Sequence, residues 1–116
     1  MLLLKTKLTN QIEAEAEKYH MPVVINLKNI KINGQNKGCS GHVTNIYSGG
    51  CVYVNTEGSS YGPLAGKSMC RYALNDKDYN STGLTNGNNR WYQTEEIAKY
   101  VVALLAEGIQ HPKKGV

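Results

Sequence analysis

The chain is 116 residues long, 41% hydrophobic and 19% charged, with twelve glycines, eight tyrosines, one tryptophan and no phenylalanine. That length suits one domain, spanning residues 1–116, that buries roughly two thirds of its unfolded surface without help from metal or disulfide. The balance of apolar and polar residues excludes a disordered chain, and the net charge of +4 favours an anionic partner over a cationic one.

The opening MLLLKTKL has three leucines before a lysine, far short of the apolar core of a signal peptide. No other segment approaches membrane-spanning length, so the expected location is the cytoplasm, with no membrane partner. Leu4, Leu8, Ile12, Ala16 and Tyr19 then recur every three or four residues, which predicts an amphipathic helix ending before Met21-Pro22. Asn10 and Glu13 have capping-box spacing partway along it.

From Pro22 the pattern changes to β-branched runs, VVINL and NIKI, then a turn at NGQNKG, then HVTNIY and CVYVN around SGG. The last pair reads as a hairpin on a short glycine turn. TEGSSYGPLAG is too rich in loop formers for regular structure, and in KSMCRYALND the spacing of Met69, Tyr72 and Ala73 predicts a short helix beginning near Ser68. Residues 75–90 form a polar, asparagine-rich connection expected to be a flexible contact loop. Ile97, Tyr100, Val101, Leu104 and Leu105 mark a final amphipathic helix, capped by Thr94, braced by a Glu95–Lys99 pair and ended by Gly108. Residues 110–116 read as a frayed tail. The expected fold is α+β: a small antiparallel sheet of three or four strands packed with N-terminal, short middle and C-terminal helices.

Charge is unevenly placed. Lys28, Lys31, Lys37, Lys67 and Arg71 face only Glu57 within residues 21–75, while both ends of the chain cancel. YGPLAGKS invites comparison with a phosphate-binding hydrolase loop, but only three residues separate Gly62 from Gly66-Lys67, where four are needed to wrap a β-phosphate. A weaker anion site remains. If a helix starts near Ser68, Lys67 and Arg71 sit by its positive end, and an anion on Tyr61, Gly62, Gly66, Lys67, Ser68 and Arg71 would relieve the repulsion.

Cys39, Cys51 and Cys70 are an odd number, which agrees with reduced thiols. With His42 they would make a zinc quartet, but only Cys39 and His42 are close in sequence, so no metal or cofactor is expected. The same Cys39–His42 pair, with Glu57, Asp76 or Asp78, lacks the motifs of a nucleophilic mechanism, and the chain reads as non-enzymatic. NNRWY sets Arg90, Trp91 and Tyr92 beside the polar loop, where, with Lys37, they suit a partner interface or base stacking. The ordinary alternative is Trp91 as a core anchor.

KGCSGHVTNIYSGGCVYVNTEGS and YGPLAGKSMCRYALNDKDY together resemble small proteins carried by phages and mobile elements of bacteria. The resemblance implies a binding protein that inhibits host defence, as anti-CRISPR proteins and second-messenger sponges do. The implied partner is a host defence protein or nucleoprotein complex, with sequestration of a cyclic nucleotide as the alternative and homo-oligomerisation as an option. Inhibitors that mimic DNA are acidic, so this basic chain points away from that mode.

Overall fold

The structure is a computed structural model that describes residues 2–58, 62–77 and 89–107. Helix α1 (Lys5–Glu17) is followed by strands β1 (Val23–Ile32), β2 (Gln35–Asn45), β3 (Cys51–Asn55), β4 (Lys67–Ala73) and β5 (Arg90–Gln93), and helix α2 (Ile97–Glu107) closes the order. A single 3-10 turn precedes β4 (Gly62–Leu64) and another precedes α2 (Thr94–Glu96). All five strands pair antiparallel in sequence order, giving a meander. The α+β expectation holds, with one more strand than the upper count.

Alternation along the strands sorts residues between two faces. Leu27, Cys39, Val43, Val52, Val54, Cys70 and Tyr72 meet Leu8, Ile12 and Ala16 of α1 and Ile97, Val101, Val102, Leu104 and Leu105 of α2 in one core. The opposite face carries a smaller cluster of Cys51, Tyr53, Met69 and Ala73, against which Trp91 packs.

The predicted middle helix is a strand. Residues 67–73 pair with both β3 and β5, and six of the seven are buried. With both faces covered, the period of two leaves no trace in polarity, so the spacing of Met69, Tyr72 and Ala73 imitates a helix. VVINL and NIKI form one ten-residue strand, and the turn beyond it needs only Asn33-Gly34, both at positive φ, as a two-residue hairpin requires.

Helix α1 ends differently from its sequence signals. Met21 N–H bonds Ala16 O at 3.1 Å and His20 N–H bonds Glu17 O at 3.0 Å, with His20 left-handed at φ 52°. This closure satisfies the last carbonyls and delivers Met21 to the core. Leu4 stands at the N-cap and Tyr19 is exposed, so the buried stripe of the helix is Leu8, Ile12 and Ala16, with Leu3 buried ahead of it. Asn10 lies inside the helix and caps nothing.

Thr94 is also not a helix cap. Its hydroxyl donates to Gly66 O at 3.1 Å and meets Ser68 Oγ at 2.8 Å, pinning the start of α2 to the start of β4. Lys99 Nζ stands 5.5 Å from the Tyr100 ring centroid. Tyr61, Asp78 and the rest of the 78–88 stretch, Gly108, His111 and the tail lie outside the described residues.

Candidate functional site

Side-chain charge follows the layers. The five strands carry Lys28, Lys31, Lys37, Lys67, Arg71 and Arg90 and no carboxylate. The helices and the turn into α2 carry Glu13, Glu15, Glu17, Glu95, Glu96 and Glu107 against Lys5, Lys7 and Lys99. The molecule thus has an acidic helical layer and a cationic sheet, an arrangement that orients it toward a negatively charged surface.

The register defines the face away from the helices. Asn26, His42, Tyr53 and Arg71 stand side by side across β1 to β4, and the neighbouring row is Lys28, Ser40, Asn55, Met69 and Trp91. Two residues before Met69, Lys67 reaches the same face beside Gln93.

The first row is mostly closed. His42 and Arg71 are each 1% exposed. The Arg71 guanidinium lies 4.7 Å from the Tyr53 ring centroid and donates to Tyr72 O at 3.3 Å, and the His42 ring is 5.3 Å from that of Tyr53. Asn55 Nδ2 donates to Tyr53 Oη at 3.1 Å, tying the two rows together. The second row is more open, with Lys28 exposed and Ser40, Asn55, Trp91 and Lys67 half-buried. Lys28 and Lys67 therefore flank a face that carries the Tyr53 and Trp91 rings, with the Arg71 charge buried beneath, a combination suited to contact with anionic and aromatic groups.

The anion set deduced from a helix start does not assemble as expected. No helix begins at Ser68, so no macrodipole acts there. Ser68 is buried toward Thr94 and the helical layer, while Lys67 and Arg71 face the other way. Gly62 and Gly66 are exposed in the preceding turns. Arg90, Trp91 and Tyr92 likewise alternate. Arg90 lies 5.8 Å from the Tyr72 ring centroid on the helical side, Tyr92 stacks on Tyr100 at 3.7 Å, and only Trp91 reaches the cationic face. Lys37 sits on β2 beyond its pairing with β3, away from the other members of both sets. What the fold does unite is Lys67, Arg71 and Trp91, drawn from the two sequence-derived sets, with Lys28. His42 and Tyr53 escaped as neighbours of Arg71, because their pairing is visible only once the β2–β3 register is known.

The cysteines do not converge. Cys39 and Cys70 face the helices, whereas His42 and Cys51 face away. Among the described residues no group of three or more histidine, cysteine or acidic side chains could hold a metal. Burial pushes the Cys70 thiol up to about 12, partly opposed by Arg90, and raises Cys39 against a hydrogen bond from Thr56. Tyr72 is raised by burial first, then by its bond to Glu107 Oε1 at 2.8 Å; its hydroxyl is shared with Leu104 O at 3.0 Å. These groups are neutral at physiological pH and serve packing. No described helix is long and apolar enough to cross a membrane. No protein-family model, curated protein or solved structure matches the chain.

Proposed function

We propose that this protein works by binding, without making or breaking a bond, and that it blocks a bacterial host-defence effector by occupying an anionic surface on that effector or on its nucleic acid. The observation that carries this reading is that the charged residues of the strands are all cations, with Lys28 and Lys67 on the face away from the helices beside Trp91 and Arg71 buried beneath them. Lys28 and Lys67 stand three strand spacings and two residues apart, roughly 16 Å, a span that suits successive phosphates along nucleic acid better than one small ligand. High thiol pKa values at Cys39 and Cys70 support a non-catalytic role, since a thiolate nucleophile would need the opposite shift.

The test is co-expression in bacteria with a guide-loaded CRISPR effector, followed by affinity isolation and a target-cleavage assay. The expected result is a complex that survives at low salt, dissociates steeply as salt rises and leaves guide and protein chemically unaltered. Full cleavage activity with no complex, or covalent change to any component, would overturn the reading.

A further inference from the structure

Beyond the five-stranded sheet, β1 and β2 continue alone. Ser40 opposite Asn55 is the last β2–β3 pair, and Thr56 N–H still bonds Cys39 O at 2.8 Å. Past that point one β1 residue, Ile30, faces two β2 residues, Lys37 and Gly38, a bulge that turns the ribbon relative to the sheet. Lys31 pairs with Asn36 and Ile32 with Gln35, and Asn33-Gly34 closes the tip. Across residues 28–37 every residue is exposed except half-buried Ile30. The segment KNIKINGQNK holds three lysines, three asparagines and a glutamine, and no acid.

We propose that this β1–β2 arm is a duplex-reading element that enters the major groove of B-form DNA, with Lys28, Lys31 and Lys37 on phosphates and Gln35 and Asn36 toward base edges. It deepens the reading of an anionic partner and rests on it for the sign of the charge. The dimensions select the ligand. A two-stranded ribbon fits the major groove, about 12 Å wide and 8.5 Å deep, but not the minor groove at about 6 Å. The arm extends past the sheet by three or four residues per strand, roughly 10 to 14 Å, enough to reach the groove floor. The major groove of A-form RNA is too narrow and deep for such entry. Cross-strand partners share a face, so Lys31 and Asn36 point to one side and Ile32 and Gln35 to the other. One side offers a cation beside an amide able to pair with adenine, and the other an amide beside an apolar group that suits the thymine methyl. The arm is anchored at its root, where Lys5 N–H donates to Asn29 Oδ1 at 2.8 Å.

The experiment is fluorescence anisotropy of the full chain with a mixed-sequence DNA duplex of about 20 base pairs, roughly two helical turns, the same sequence as an RNA duplex, and the single DNA strand. Two variants accompany the wild type. Lys31→Ala with Lys37→Ala removes charge, and deletion of Lys31-Ile32 together with Gln35-Asn36 shortens the arm by two facing pairs while keeping the Asn33-Gly34 turn. Both variants are checked for unchanged urea midpoints. The expected result is DNA-duplex binding at least fivefold tighter than to either other probe, with a logarithmic salt slope of about −2.7 for three phosphate contacts. The double alanine variant should lose about 1.8 of that slope, and the shortened arm at least tenfold in affinity. Duplex affinity within twofold of wild type in the shortened variant, or tighter binding to RNA or to the single strand, would overturn the proposal whatever happens to the defence effector. Loss of duplex binding in the arm variants, with wild-type protein that leaves the effector fully active and uncomplexed, would leave the arm standing and sink the defence reading.

Discussion

Replacing Thr56 by valine tests how the root of the arm is held. The Thr56 hydroxyl accepts from Cys39 N–H at 2.8 Å and donates to Leu3 O at 2.9 Å, with Cys39 Sγ 3.5 Å away. One buried oxygen therefore joins the lead-in to α1, the bulged end of β2 and the residue after β3. Valine has nearly the same volume, so no cavity opens. What is lost is the partner of a buried N–H, costing about 1 to 3 kcal/mol when unsatisfied, and the stronger of two donors to the Leu3 carbonyl, which keeps Cys39 Sγ at 3.5 Å and so adds only about 1 kcal/mol, for a combined loss of about 2 to 4 kcal/mol. At an m-value of about 1.5 kcal/mol/M in urea, the unfolding midpoint should fall by about 1.3 to 2.7 M. Thr56→Ser keeps the hydroxyl and gives up one methyl, so it should cost about 1 kcal/mol. Urea titrations followed by circular dichroism separate the two. A valine variant within about 0.5 kcal/mol of wild type, a change at the size of an ordinary surface substitution, would refute the reasoning, as would a serine variant equally damaged.

Gly41→Ala should unfold the domain or cost more than about 3 kcal/mol, because the new Cβ would strike the Asn26 carbonyl oxygen and lie 2.8 Å from Leu27 Cα, backbone atoms that cannot swing aside. A soluble variant with an unchanged melting temperature would contradict it. In the native protein the three buried thiols should resist dithionitrobenzoate at pH 8, with Cys70 about one part in ten thousand thiolate, and all should react in urea. Alkali should destabilise the fold. An unfolded Cys70 ionises near its ordinary value of 9.0, whereas the folded one keeps its proton to about 12, so above pH 9 the folded state binds more protons and stability falls. That slope is about 1.4 kcal/mol per pH unit for one proton, with Tyr72 adding to it above its ordinary 10.0. A urea midpoint that rises from pH 9 to pH 10.5 would count against this account.

The helices were legible because each has only one buried stripe. Ile97, Val101, Leu104 and Leu105 contrast with Lys99 and Glu96 on the same turns, and that contrast fixes a period. Strand β4 offers no contrast, since Ser68, Cys70 and Tyr72 are covered by the helices and Met69, Arg71 and Ala73 are buried on the other face. Its buried arginine even mimics a solvent position. Thr94 misled for a related reason: a hydroxyl before a helical run can satisfy a helix end or a neighbouring strand, and here Gly66 O and Ser68 Oγ take it. The cationic bias of residues 21–75 was visible in the composition, but its division between one sheet face and a projecting arm depends on register. The β1–β2 bulge and the early end of β3 at Asn55 produce that arm, and neither has a sequence signal beyond Gly38.

Two charge-reversal pairs with the same net charge give the most direct test of the claim that the sheet side of the molecule receives negative charge. Lys28→Glu with Lys67→Glu alters the face away from the helices, and Lys7→Glu with Lys99→Glu alters the helical layer. Binding to the guide-loaded effector at 50, 100 and 200 mM salt, concentrations spanning Debye lengths of about 14 to 7 Å, should fall more than tenfold for the first pair and less than threefold for the second. Equal losses for both pairs would mean that only total charge matters, and the layered arrangement would then have no part in recognition.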